Sequence, residues 1–237
     1  MLSPDELKQL SAYDSCTVSN AIERLNVRMR NEGFSSGRLH CRTPEFAPMA
    51  GYAATARIRT AEPPIAHRCY YDRMDWWEYV ASLPEPRIIV IEDADEHPGK
   101  GAFVGEIHAN IGQALACIGC VTNGAVRDVP SIAKLGLHLF SGFLSVSHAY
   151  AHIIEFGEPV KVAGLKVESG DLMHGDLHGI LTIPLSVAAE VPAQAAKILA
   201  EERELIEFCR SPHFSLQELS VRLENSSVNC DLPWSPR

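Results

Sequence analysis

Two short runs of β-branched residues bracket one amphipathic stretch, and this alternation constrains the fold more than any other feature of the chain. Residues 87–92, Arg-Ile-Ile-Val-Ile-Glu, and 118–122, Ile-Gly-Cys-Val-Thr, read as buried strands. Between them Gly105-Glu106-Ile107-His108 opens a helix predicted to run to about Cys117, with Ile111, Ala114 and Leu115 on its inner face. Strands interleaved with helices predict an α/β architecture.

The flanking segments fit that plan. Ser3-Pro4-Asp5-Glu6 is a helix start: Ser3 caps, Pro4 suits the first turn and Glu6 completes a capping box. Residues 17–25 predict a second helix with Val18, Ala21, Ile22 and Leu25 on one side, and 27–48 a long loop. A strand is expected at 49–59, a loop at 60–72 around Pro63-Pro64, and a short helix at 75–82. Further on, 130–135 reads as a helix, 136–146 as holding a strand, and 159–167 as a hairpin turning near Gly164. Ser169-Gly170-Asp171 reads as a turn and 179–184 as a strand closed by proline. Long and short helices are expected at 187–208 and 215–223. Strands dominate the later half, so a mixed α/β sandwich is favoured over a clean doubly wound sheet.

The chain's 237 residues are enough for one domain with a substantial core. A net charge of −9 argues against a nucleic-acid surface. No uncharged apolar run approaches the roughly 18 residues that span a bilayer. The acidic start lacks a signal-peptide pattern, so a cytoplasmic protein with no membrane partner is expected. Seven scattered cysteines do not form a disulfide framework, and Cys117-Ile118-Gly119-Cys120 is a CxxC without the second pair that a zinc site needs.

The chemistry concentrates at Gly-Ala-Val-Arg-Asp, 124–128, which reads as a strand ending in a glycine turn that presents Arg127 and Asp128 together. Asp is a hard oxygen ligand for Mg²⁺ or Mn²⁺, and Arg is a permanent forked cation for carboxylate or enolate oxygens. Gly105 and the helix it opens add backbone amides suited to a carboxylate, with close approach allowed by the missing side chain. Both segments follow buried strands, the usual ligand crevice of α/β sheets. An ordinary ion-paired turn and a capped helix explain the same residues.

Five segments together resemble the RraA-like family, which includes class II 4-hydroxy-4-methyl-2-oxoglutarate aldolases, oxaloacetate decarboxylases and regulators of ribonuclease activity. They are Thr17-Val18-Ser19-Asn20-Ala21, residues 50–59, Gly105-Glu106, Asn123-Gly124-Ala125-Val126-Arg127-Asp128, and Ser169-Gly170-Asp171 leading to Asp176-Leu177-His178-Gly179 and Ile183-Pro184. The resemblance implies a three-layer β/β/α swivelling-domain-like sandwich with flanking N- and C-terminal helices, assembled as a homotrimer or hexamer. It implies one domain over 1–237, with a core at about 10–205 and a C-terminal extension at 206–237. It implies that Asp128 contacts the divalent metal, that Arg127 contacts a small 2-oxo acid, and that Gly105, Glu106, Ile107 and His108 cradle its pyruvyl end. Three positions depart from the pattern: Asn20 and Asn123 stand where Asp is common, and Ser169 where Pro is usual. A neighbouring subunit can supply an acidic residue in the aldolases; Glu201 and Glu202 are candidates, though a solvated helix face explains them equally.

These residues predict a metal-dependent lyase that cleaves a C–C bond of a pyruvyl-type 2-oxo acid. The catalytic set is Arg127, Glu106 and Asp128. Metal and Arg127 stabilise the developing enolate oxygen, and a metal-activated water held by Glu106 takes the substrate hydroxyl proton. Decarboxylation of oxaloacetate passes through the same enolate. The alternative is a non-catalytic regulator of the ribonuclease E type. A methyltransferase reading finds no glycine-rich nucleotide loop to support it. Elsewhere, His148 and His152 are four apart but lack a third ligand, and His174 and His178 flank an expected turn. Trp76-Trp77 near Tyr70-Tyr71 reads as core or subunit contact, and Arg57 and Arg59 as surface or interface charges.

Overall fold

A computed structural model describes residues 1–65 and 73–225. In chain order the elements are α1 (Pro4–Leu10), α2 (Ser15–Leu25), β1 (His40–Cys41), β2 (Met49–Arg59), α3 (Met74–Ser82), β3 (Arg87–Asp93), β4 (Ala102–Val104), α4 (Glu106–Ala114), β5 (Cys117–Val126) and α5 (Val129–Lys134). There follow β6 (His138–Leu144), β7 (His152–Phe156), β8 (Val160–Val162), β9 (Leu165–Val167), β10 (Leu172–Asp176), β11 (Gly179–Ile183), α6 (Val191–Arg210) and α7 (Leu216–Asn225).

One mixed sheet carries the fold, in the order β1-β6-β5-β3-β2-β10-β11, with β4 beside β5 and β7 beside β2. Its centre, β2-β3-β5-β6, is parallel; β1, β7, β10 and β11 join antiparallel. The parallel centre is covered on both faces, as its unbroken apolar runs require. Alternate residues of β3 show this: Ile89 and Ile91 pack with Trp76 and Val80 of α3, Ala109 of α4 and Ile132 of α5. Ile88 and Val90 face the small β8–β9 sheet through Val160, Val162, Leu165 and Val167. The third cluster joins α1, α2 and α6 to β2, β10 and β11 through Leu10, Val18, Ile22, Leu172, Ile183 and Ile198. This is the expected sandwich: a small sheet, a large sheet and a helical layer, with the terminal helices closing one end.

Local chemistry explains the element starts. Ser3 Oγ accepts the Glu6 N–H at 3.3 Å while Glu6 Oε2 accepts the Ser3 N–H at 2.7 Å. Asp14 caps α2 by accepting the Thr17 N–H at 2.8 Å, so that helix begins two residues earlier than the pattern suggests. The β8–β9 hairpin turns through Ala163 and Gly164, both at positive φ.

The structure corrects several expectations. Gly124 makes no turn: β5 continues through it to Val126, and the chain reverses at Asp128, whose φ is 55°. Gly124 is required by crowding instead, since a Cβ there would lie 2.9 Å from Asp93 Cβ. Helix α4 stops at Ala114 rather than near Cys117, because Ala116 takes a left-handed conformation with φ 54° and the chain then enters β5. Strand β7, with its bulge against β2 between Arg57 and Ile58, was not expected. The helical spacing of His148 and His152 therefore does not apply. His148 Nδ1 lies 2.6 Å from the Ala102 carbonyl oxygen, and His152 opens β7 with Nδ1 2.7 Å from that of Tyr150. Tyr70 and Tyr71 lie outside the described residues; Trp76 and Trp77 are core. Cys117 and Cys120 are buried free thiols, with burial pushing Cys117 up to about 12 and Cys120 higher, so neither supplies a thiolate. Arg57 is an internal clasp: it donates to Glu92 at 3.1 Å, to Glu155, and to the Pro159 carbonyl at 3.0 Å.

Candidate active site

The site is where the C-terminal end of β5 meets the start of α4. Arg127 and Asp128 follow β5, and the Arg127 N–H donates to the Val104 carbonyl at 2.9 Å, which ties them to the end of β4. Residue 128 must adopt the left-handed region, which Asp tolerates better than most residues. That conformation does not cap α5, which follows it. The carboxylate turns instead to α4, where Oδ2 accepts the Glu106 N–H at 3.1 Å. Gly105, the residue before α4, has no side chain to do this. Gly105 leaves room for the arrangement: a Cβ there would stand 2.9 Å from Asp128 Oδ2 and 3.2 Å from Arg127 Cγ.

Arg127 Nε lies 3.3 Å from Asp128 Oδ2 and 3.4 Å from Oδ1. Its Nη1 reaches the Val146 carbonyl at 3.4 Å. These are long contacts, and the two side chains remain 35% and 32% exposed. Both charges therefore keep faces open to a ligand. Beside them lies a pocket of about 480 Å³ lined by Arg127, Asp128, Val129, Pro130, Leu144 and Val146, among others.

The predicted cradle divides. Gly105 is buried beneath the pair, while Glu106 and Ile107 point outward. The His108 side chain does not reach the crevice. It is buried between Trp77 and Phe103, with both ring centroids 4.9 Å away, and burial drives its imidazole down to about 3. The amides of Ile107 and His108 precede the first intrahelical bond, from the Ala109 N–H to the Gly105 carbonyl at 3.0 Å.

Two of the three departures from the family pattern have structural partners. Asn123 clasps the backbone of Asp93 from both sides: its Oδ1 accepts the Asp93 N–H at 2.8 Å and its Nδ2 donates to the Asp93 carbonyl at 3.0 Å. A carboxylate cannot make the second bond. Ser169 Oγ meets Tyr79 Oη and lies 3.4 Å from the Ala53 carbonyl oxygen of β2. Asn20 is exposed on α2. Glu201, a candidate contributor to a neighbouring subunit, is paired with Arg24 of its own chain at 2.8 Å.

Among the described residues, no three His, Cys, Asp or Glu side chains converge to hold a metal. The residues present still suit one kind of ion. Magnesium keeps several waters and needs only one or two protein carboxylates alongside substrate oxygens. Asp128 offers one such carboxylate, with a third of its side chain exposed.

What sequence reasoning missed is the Val146 contact to Arg127 and the loop that provides it. Nothing in Leu144-Ser145-Val146 marks a site, because an exposed apolar residue is common and its neighbours are known only once β5 and β6 pair.

Known proteins share this fold and part of this sequence. An uncharacterised protein from Pseudomonas syringae pv. tomato superposes with a TM-score of 0.70 at 22% identity, covering 93% of this chain and 94% of that one. Streptomyces coelicolor RraAS2, described as an unusual member of the RNase ES inhibitor RraA protein family, gives 0.65 at 20% identity, covering 88% and 97%. In sequence, a putative 4-hydroxy-4-methyl-2-oxoglutarate aldolase of Halalkalibacterium halodurans is 26% identical over 102 residues, 43% of this chain and 49% of that protein. Matches to the curated relatives span between 20% and 65% of those proteins' own lengths. The RraA-like family model, described as Aldolase/RraA, matches residues 15–182, which takes in the strand, helix and Arg-Asp pair described above, and the chain belongs to that family.

Proposed function

We propose that the protein is a divalent-metal-dependent lyase that splits a C–C bond of a pyruvyl-type 2-oxo acid by retro-aldol cleavage, decarboxylation of oxaloacetate, or both. The observation that carries this reading is the half-open Arg127–Asp128 pair seated on the first amide of α4. A purely structural ion pair has no need of a glycine kept clear beneath it or of a pocket beside it.

Asp128 would hold Mg²⁺ or Mn²⁺, and when bound the cation supplies Lewis-acid polarisation of the substrate's keto oxygen. The chain's own groups do the rest. The amides opening α4 bind the 2-oxo acid's carboxylate, favoured by the positive end of the helix. Arg127 faces the keto oxygen and stabilises the negative charge it acquires as pyruvate enolate forms. Glu106, exposed in the first turn, accepts the hydroxyl proton in the retro-aldol case. Loss of CO₂ needs no such base. No lysine Schiff base enters the scheme.

Assembly as a homotrimer or hexamer belongs to the same reading, as do one domain with residues 206–237 as an extension, a cytoplasmic location, and no nucleic-acid or membrane partner. Exposed Ile107 and Phe143 near the site are apolar surface that a second copy would cover. No helix among the described residues is long and apolar enough to cross a membrane. The test is pyruvate release from oxaloacetate and from 4-hydroxy-4-methyl-2-oxoglutarate with Mg²⁺, with Mn²⁺ and with excess EDTA. Metal-dependent release, cut about 10-fold or more by Arg127→Lys because a point charge does not replace a fork, is the expected result. Folded, metal-supplied protein that releases no pyruvate from either substrate or any other 2-oxo acid would refute the lyase and favour the ribonuclease-regulator alternative.

A further inference from the structure

Beyond the Arg127–Asp128 pair, the pocket walls are apolar. Val129 and Pro130 form one side; Leu144, 59% exposed, and Val146, 95% exposed, form the other. Among the described residues lining the pocket, Arg127 is the cation. The one hydroxyl in the wall, Ser145 Oγ, is turned toward the backbone, 3.2 Å from the carbonyl oxygens of Lys100 and Ser147. The Ser145 N–H donates to the Val126 carbonyl at 3.2 Å, which anchors the loop, and Arg127 Nη1 holds its next carbonyl. The wall is therefore fixed in place, and among the residues that line it no side chain besides Arg127 carries a positive charge.

Given the lyase reading, on which this rests, we propose that the preferred substrate is a 4-hydroxy-2-oxo monocarboxylate with an uncharged aliphatic tail, rather than a dicarboxylate. Arg127 and the α4 amides are occupied by the pyruvyl end, so a second carboxylate would lie beside Leu144, Val146 and Pro130, gaining no ion pair from the lining residues and no apolar burial. An aliphatic tail gains by covering the same surface. A volume of about 480 Å³ lies within the range of small-molecule sites and accommodates a tail of several carbons. The step balances. The C3–C4 bond breaks and its electron pair becomes the pyruvate enolate, the hydroxyl proton passes to Glu106, and the hydroxyl oxygen becomes the carbonyl of the departing aldehyde. Protonation of the enolate at C3 gives pyruvate.

The experiment compares isosteres in which methyl replaces carboxylate, using the full chain with Mg²⁺ or Mn²⁺. For turnover the pair is 4-hydroxy-2-oxohexanoate and 4-hydroxy-2-oxoadipate, with pyruvate quantified by chromatography. For binding it is uncleaved 2-oxohexanoate and 2-oxoadipate, followed by calorimetry. The monocarboxylates should be favoured by about 10-fold or more in both, the scale on which apolar pockets discriminate. Val146→Lys, at an exposed position that folding does not depend on, should reverse that preference. Equal or better use of the dicarboxylates by the unaltered protein overturns the proposal, as does a Val146→Lys protein with unchanged preference. If no substrate releases pyruvate, the lyase reading fails and the binding pair still decides: tighter 2-oxohexanoate upholds the apolar tail pocket, and equal affinities overturn it.

Discussion

Asp128 and Asp176 are the same device in two states of completion. Each lies at the end of a strand and accepts the first N–H of a helix elsewhere in the chain: Glu106 for Asp128 at 3.1 Å, Ser15 for Asp176 at 2.7 Å. At Asp176 the carboxylate is closed. Its second oxygen takes the His178 N–H at 2.8 Å and lies 3.1 Å from His178 Nδ1, and the residue is 5% exposed. Burial alone would raise this carboxyl, but the amides of Ser15 and His178 outweigh it and hold it below its ordinary value. At Asp128 the second oxygen meets only the long edge of Arg127, and a third of the side chain faces solvent. A carboxylate whose lone pairs are all taken stabilises the fold; one left half-open can take a ligand.

The sharpest way to break this comparison is Asp128→Asn. The amide oxygen can still accept the Glu106 N–H and Asn tolerates the left-handed backbone, so the melting temperature should hardly move. Metal-dependent pyruvate release should fall by about 100-fold or more. Normal turnover in that variant would place the metal elsewhere. Asp176→Ala should do the reverse. It leaves the buried Ser15 N–H and the partly buried His178 N–H without their acceptor and should cost about 2 kcal/mol by urea titration, with activity per folded molecule preserved. The sign with pH follows from the lowered carboxyl. The Asp176 contribution is present above the unfolded pKa of about 4 and is lost as pH falls through its lower folded value.

His108 sharpens the contrast within α4 itself, since Glu106 and Ile107 face outward and His108 the core. Its imidazole is held at about 3 by burial, so below its unfolded value of about 6.5 the unfolded chain binds a proton that the folded one refuses. Stability then falls with pH by about 1.4 kcal/mol per unit. His108→Leu should remove about 2 kcal/mol of the stability difference between pH 7 and pH 5; an unchanged difference would assign the acid sensitivity to other groups. Asn123→Asp should have the smallest effect, about 1 to 2 kcal/mol, from losing the bond to the Asp93 carbonyl. A large loss of activity at constant stability would show instead that Asn123 touches substrate.

Legibility followed periodicity. Helix α1 announced itself through Ser3 and Glu6, β3 through its run of Ile and Val, and the β8–β9 hairpin through Gly164, because each signal is local. Strands β7 and β10 were missed for the opposite reason. Residues 152–156 and 172–176 mix His, Glu, Asp and Gly with apolar residues, and become strands by pairing with β2. Gly124 was misread as a turn because sequence does not distinguish a glycine that bends the chain from one that makes room for Asp93. The candidate site stood out as a set of residue types, since few segments place Gly-Glu and Arg-Asp after strand-like runs. His108 could not be sorted from its neighbours until the rotation of α4 was known.

The sequence by itself determined the alternation of strands and helices, the caps, and the presence of a forked cation beside a hard carboxylate, because these depend on residues within one turn or one strand of each other. Only the tertiary structure decided that Asp128 caps a helix twenty-two residues earlier in the chain, that Asn123 and Ser169 serve the fold, and that Leu144 and Val146 wall the pocket. Those contacts arise from parallel pairing of β5 with its neighbours, and the partners of a half-open carboxylate are set by which strand ends the sheet brings together.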